Sequence, residues 1–284
     1  MKNRSENAVA KIVARYCEDF PGQVRSLIEF LEDRQEGDRA YDVLRDTRAE
    51  LHRMAGAAHC LGFRQVGAEL SDLERTLQDI ASQSDRAMER EIPKIKLRIE
   101  GLLNFQSLLL PQKSRLLSKV SNSSEADSLC SDDRSRSAVE DARSRMMSKE
   151  RFLIAEDDPY IRDMMKTTLM DMGVEDIKVA ASGFEVLKVI NEFEPTFIIS
   201  DWEMEPVSGL ELLKCIRRGG TNLPSDTPIV FFTAHKDRQS TLLANRNGVN
   251  KLVGKPVLPA QLRDAVLGVV EKRFQLKRRA TRAA

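Results

Sequence analysis

Phe197-Ile198-Ile199-Ser200-Asp201-Trp202 decides how this chain is read. Three apolar residues, including a β-branched pair, follow Glu194-Pro195 and give way to Ser200-Asp201. A short apolar run bounded by a turn signal and then polar residues reads as a strand buried on both faces of a parallel sheet. In such sheets the chemistry lies just beyond the carboxyl ends of the strands. Asp201 stands at that edge, and Ser208-Gly209 opens the following helix. Its carboxylate is either a turn or cap residue or a group placed for chemistry, and this stretch alone leaves both readings open.

Outward from it, strands and helices alternate. Phe152–Ala155 reads as a first strand, followed by Glu156-Asp157-Asp158-Pro159 and a helix to about Met172. A weaker strand follows at Asp176–Val179, then a helix at Phe184–Phe193. Beyond Asp201 come a helix at Gly209–Arg218, a strand at Pro228–Phe232, a helix at Asp237–Asn247, a strand at Lys251–Val253 and a last helix at Ala260–Phe274. Alternation at this pace predicts a five-stranded parallel sheet with helices on both faces over residues 150–275.

In that sheet Glu156, Asp157, Asp201, Thr233 and Lys255 all fall at strand carboxyl ends. Carboxylates about 4 Å apart repel by roughly 4 kcal/mol per pair at an effective dielectric of 20, so the cluster calls for a cation. All-oxygen ligands with room for water favour Mg²⁺. A hydroxyl (Thr233) and an ammonium (Lys255) beside it would contact phosphoryl oxygens, with Asp201 as nucleophile.

These residues resemble the response-regulator receiver domain over essentially all of 150–275. Glu156-Asp157 is similar to its acidic pair, Asp201 to its phosphoacceptor, Gly209 to the glycine eight residues later, and Thr233-Ala234 and Lys255-Pro256 to its hydroxyl and lysine motifs. The resemblance implies a flavodoxin-like (βα)5 fold. It also implies Mg²⁺ held by Asp157, Asp201 and the backbone carbonyl of Glu203, with Glu156 reaching it through water. Two positions depart from the pattern: the proline expected four residues after the acceptor stands one later, at Pro206, and Leu252 occupies the place of an aromatic switch residue. Glu203 and His235 lie where they would influence attacking water.

From Ala8 to about Leu110 the apolar spacing is helical throughout. Ile12, Val13 and Tyr16 predict a short first helix ended by Pro21-Gly22, and Val24 to Leu31 a second. A long third runs from about Asp38 to Cys60, with Tyr41, Leu44, Leu51, Met54 and Ala58 on its buried stripe and Gly62 as its C-cap. Val66 to Ile80 stripes a fourth, and Ile92 to Leu103 a fifth. His52 sits beside the third stripe, near Ala55 and Gly56, and a glycine inside a helix costs roughly 1 kcal/mol against alanine. Close approach of another surface would explain Gly56, but a surface histidine in an alanine-rich helix fits the spacing as well.

His52-Arg53-Met54-Ala55-Gly56, then Gly62-Phe63, resembles the histidine phosphotransfer (HPt) domain, whose glycines follow the histidine by four and ten residues. The resemblance implies an all-α four-helix bundle with His52 phosphorylated. Ala55 stands where a lysine often supports the phosphoryl group, a role Arg48 or Arg53 would have to share. His59 is read as a bystander or part of a docking surface.

Between these regions the chain turns serine-rich and charged, which predicts a flexible linker, with Ala138 to Met147 as a transient helix leading into the next domain. The expected organisation is therefore 1–112 helical bundle, 113–149 linker, 150–275 receiver and 276–284 basic tail. The tail reads mainly as a solvated helix end. Forty-five Lys and Arg against 44 Asp and Glu leave a net charge of +1, which gives no argument for nucleic acid, an anionic membrane or an acidic substrate as the main partner. Four scattered cysteines without a CxxC pair read as reduced thiols of a cytosolic protein. No glycine-rich nucleotide loop is visible, so an ATP-dependent kinase is not expected. Together the two resemblances imply a phosphorelay protein with Mg²⁺ as cofactor, a sensor or hybrid histidine kinase and other receiver domains as partners, and Asp201, served by Thr233 and Lys255, phosphorylated alongside His52. The alternative is a single-step response regulator acting by docking, with the bundle a non-phosphorylated interaction or dimerisation module.

Overall fold

The computed structural model describes residues 2–34, 39–118, 142–234 and 238–283, without the side chains of 2–6 and 276–283. His235 and the side chains of the basic tail therefore lie outside the described residues. The chain divides into two compact units, Glu6–Ala126 and Asp127–Ala284, the latter grouped with Met1–Ser5.

In the second unit β1 (Arg151–Ala155), β2 (Asp176–Ala180), β3 (Phe197–Asp201), β4 (Ile229–Thr233) and β5 (Lys251–Gly254) form one parallel sheet in the order β2-β1-β3-β4-β5. Every residue of β3 and β4 is buried, as their continuous apolar runs require. β2 is an edge strand, mostly exposed, which is why its apolar signal is the weakest. Connecting helices are α5 (Pro159–Asp171), α6 (Gly183–Phe193), α7 (Gly209–Arg217), α8 (Arg238–Arg246) and α9 (Pro259–Ala283). Leu153, Ile198 and Phe231 pack with Val186 and Ile190 of α6 and Leu212 and Ile216 of α7. Phe152 stacks on Phe197 at 4.7 Å, and α9 packs on α5. Each such side chain, fully buried, contributes roughly 1.5–3 kcal/mol. The parallel sheet and flavodoxin-like fold are as expected, though α9 runs nine residues past Phe274 to Ala283.

The first unit is built from α1 (Lys2–Glu32), α2 (Ala40–Cys60), α3 (Arg64–Ile80) and α4 (Asp85–Gly101). The two short helices expected on either side of Pro21-Gly22 are one helix, which corrects that boundary. A proline inside a helix costs about 3 kcal/mol. Here the buried stripe Val13, Tyr16, Phe20, Val24, Leu27 and Leu31 continues through it in register, and its burial outweighs the lost hydrogen bond. Merging them turns five expected helices into four, as a four-helix bundle needs. Tyr41, expected on the buried stripe of α2, is instead exposed.

Composition places residues 113–149 in a linker, but its two flanks are structured. Leu109, Ser114 and Leu116 are buried, and Ser114 Oγ donates to the Leu61 carbonyl at 2.6 Å. Residues 142–147 are helical, Met147 is buried, and Arg143 pairs with Glu271. A few apolar anchors decide both cases, and a serine-rich average hides them. Residues 119–141 lie outside the described residues. Among the described residues no helix is long and apolar enough to cross a membrane.

Candidate functional site

Sheet register assembles the acidic site. Ala155 pairs with Ser200, so Glu156 and Asp157 leave β1 level with Asp201 at the end of β3. Thr233 pairs with Gly254, and the Lys255 N–H donates to the Thr233 carbonyl at 2.7 Å, which turns the lysine back over the same edge. The Lys255 ammonium reaches Asp201 Oδ2 at 2.7 Å and Glu156 Oε1 at 3.2 Å. Asp201 Oδ1 accepts from the backbone N–H groups of Trp202 (2.6 Å) and Glu203 (3.4 Å). Four of the five expected side chains are therefore tied together by ligand atoms or hydrogen bonds, and Thr233 ends the neighbouring strand, buried.

Carboxylate oxygens of Glu156, Asp157 and Asp201 all lie within 4.8 Å of one another. Glu156 is fully buried, and burial pushes its carboxyl well above the usual carboxylate range; Lys255 opposes this, and Asp201, Asp157 and Asp158 add to it. Its Oε2 has no hydrogen-bond partner among the described residues. A buried oxygen without a partner, beside two further carboxylates, is a donor set suited to a hard divalent cation such as Mg²⁺, so the residues present fit that ion. Asp158, the third acid of the run, does something else: its Oδ1 caps α5, accepting from the N–H groups of Tyr160 and Ile161, both at 2.9 Å.

The loop after Asp201 is closed by local chemistry. Ser208 and Glu211 form a capping box at the start of α7. The Gly209 N–H donates to the Trp202 carbonyl at 3.0 Å, and a Cβ on Gly209 would collide with the Asp201 carbonyl. That close approach is the physical content of the glycine eight residues after the aspartate. Glu203 is half-buried and contributes its N–H as described. Leu252 is half-buried against the α6–α7 side of the core.

On the helical unit His52 is half-buried, 29% exposed, on α2. Its Nδ1 lies 2.9 Å from Glu74 Oε1 on α3. This contact was not expected, although Glu74 follows Leu70 by four residues and so belongs beside the buried stripe of α3. Ala55 is buried, and the Arg53 guanidinium is held by Glu50 one turn back, with Nε 2.9 Å from Oε2. His59 packs against Gly67 between α2 and α3, with Nε2 3.3 Å from Ser71 Oγ, and burial lowers its pKa below 6.5. Its place is structural. Gly62 has φ +89°, and a Cβ there would lie 2.6 Å from the Leu116 nitrogen, so the residue is set by a left-handed turn and by the chain crossing it.

Residues 152–267 match the family model described as response regulator receiver domain. The chemotaxis protein CheY1 of Helicobacter pylori is 30% identical over 115 residues, covering 40% of this chain and 91% of that protein. The chain belongs to the response-regulator receiver family. Chemotaxis protein CheY-3 of Vibrio cholerae is 28% identical over 122 residues, covering 43% of this chain and 92% of that protein. A solved receiver domain of a Francisella response regulator covers 44% of this chain and 98% of its own, at 27% identity and TM-score 0.40. Membership of the receiver family implies phosphoryl transfer at an aspartate and interaction with histidine kinases or phosphotransfer partners. The bundle carrying His52 precedes the matched residues.

Proposed function

We propose that this chain is a phosphorelay protein that carries phosphoryl groups at Asp201 and His52. The observation that carries the reading is the Lys255 ammonium joining Asp201 to Glu156 beside a three-carboxylate cluster. A carboxylate oxygen of Asp201 attacks the phosphorus of a donor phosphohistidine. A P–O bond forms as the P–N bond breaks, and the imidazole leaves neutral after taking up a proton. Backbone N–H groups on Oδ1 hold the Asp201 carboxylate in one orientation. Lys255 and the Thr233 hydroxyl face the charge that develops on the phosphoryl oxygens. Glu156, Asp157, Asp201 and the Glu203 carbonyl would hold Mg²⁺, which when bound neutralises that charge.

His52 acts as a phosphoryl carrier. With Nδ1–H donated to Glu74, Nε2 carries the lone pair that would take a phosphoryl group from a partner's aspartyl phosphate. Both reactions are self-catalysed or partner-catalysed, with no ATP-dependent step. Incubation with a phosphorylated donor receiver tests the reading: label on His52 that is lost in His52→Gln supports the relay. Label confined to Asp201 would leave the bundle as a docking module. Failure of acetyl phosphate and Mg²⁺ to modify Asp201 would overturn the receiver half.

A further inference from the structure

We infer that Arg162 is a positioning residue for the divalent cation, acting through the backbone that carries Glu156 and Asp157; this rests on the magnesium reading above. Arg162 Nη1 donates to the Glu156 carbonyl at 2.6 Å and to the Asp157 carbonyl at 3.2 Å. The residue lies in the first turn of α5, where its own N–H bonds the Asp158 carbonyl at 3.0 Å. A cation is disfavoured there, because the positive end of the helix dipole points the same way. Its side chain instead doubles back over the loop.

Beyond Ala155 the β1–β3 pairing has ended, so these two carbonyls take no partner from that ladder. One guanidinium nitrogen shared between them sets the rotation of the peptide joining Glu156 to Asp157. That rotation decides the direction in which both carboxylates leave the backbone. On the far side the loop is pinned again by Asp158, capping α5. Glu156 and Asp157 are therefore held between two fixed points, and their oxygens meet Asp201 within 4.8 Å without hydrogen bonds that would occupy Glu156 Oε2.

Charge and position make opposite demands. A guanidinium acting only as a charge near three carboxylates would weaken cation binding, so its removal would tighten it. A guanidinium that positions the loop does the reverse. Trp202, the single tryptophan, follows Asp201 directly: its backbone N–H bonds Asp201 Oδ1 at 2.6 Å and its ring packs on Phe231 of β4, which makes it a reporter of the site. Full-length wild type, Arg162→Gln and Arg162→Lys are titrated with Mg²⁺ alone by Trp202 fluorescence and by calorimetry, with circular dichroism checking the fold. Arg162→Gln should need about tenfold more Mg²⁺, the scale on which groups supporting metal ligands act. Arg162→Lys, which keeps the charge and loses the planar fork, should need about threefold more. In both, acetyl phosphate labelling at saturating Mg²⁺ should stay within about twofold of wild type. Wild-type or tighter Mg²⁺ binding in either variant overturns the inference alone, whereas a wild type that binds no Mg²⁺ overturns the magnesium reading and this inference with it.

Discussion

His52 and Asp201, the two acceptors proposed above, stand in opposite surroundings. Asp201 is 3% exposed and fastened by Lys255 and two backbone N–H groups beside two more carboxylates. His52 is half open to solvent on a helix, and Glu74 on the next helix holds its ring. A carboxylate is a weak nucleophile toward a dianionic phosphoryl group, so charge stabilisation has to be built around it. Imidazole needs only a lone pair and a fixed ring, and on the proposed relay it would borrow the rest from the partner's aspartate site. On the proposed relay the sheet unit would be the catalyst and the helical unit its kind of substrate.

The sharpest way to break this contrast is Asp201→Asn, which should abolish labelling of the sheet unit by acetyl phosphate while His52 still accepts label from a donor receiver. Gel-shift separation of phosphorylated forms reads both. Lys255→Ala comes next: removal of a charge-stabilising donor should slow Asp201 labelling about 100-fold. Donor-to-His52 transfer should be unchanged, since on the proposed relay that step would draw its charge stabilisation from the donor receiver.

Gly62→Ala tests whether the helical unit can fail by itself. Its φ of +89° and the Leu116 backbone leave no place for a methyl group. The helical unit should lose about 2 kcal/mol, roughly 30-fold in its folding equilibrium. In denaturant titrations followed by helicity, Asp201 labelling should persist where His52 labelling has gone. Glu74→Gln is milder. Replacing a carboxylate acceptor on Nδ1 by an amide should slow His52 labelling about fivefold, the value of roughly 1 kcal/mol, without moving the melting midpoint much.

The smallest effect is a pH dependence confined to the helical unit. Burial lowers the His59 pKa below 6.5 in the fold, so the unfolded chain binds the extra proton first as pH falls. Stability should be full above pH 6.5 and decline as pH falls below it. Thermal melts between about pH 5 and pH 7.5 should show this slope in wild type and flatten it in His59→Gln.

Strand ends are what made the acidic site legible. In a parallel sheet built of buried apolar runs, the residue after each run is at the carboxyl edge whatever the loops do. Phe197–Ile199 therefore located Asp201, and Phe152–Ala155 located Glu156 and Asp157, without knowledge of a single contact. Helices give no such marker. Whether Pro21 breaks α1 depends on how much apolar stripe lies beyond it, and whether Tyr41 is buried depends on what packs against α2. Glu74 meets His52 only because α2 and α3 pack at one particular rotation about their axes.

Taken by itself, the order of residues determined the alternation of strands and helices, the five groups at the sheet edge and the spacing around His52, because period and punctuation are local properties. Tertiary structure alone decided that Asp158 caps α5 while Asp157 joins the cluster, that Arg162 bridges two loop carbonyls, and that Ser114 and Leu116 belong to the bundle. Those outcomes depend on directions of side chains between elements, which only the packed chain defines.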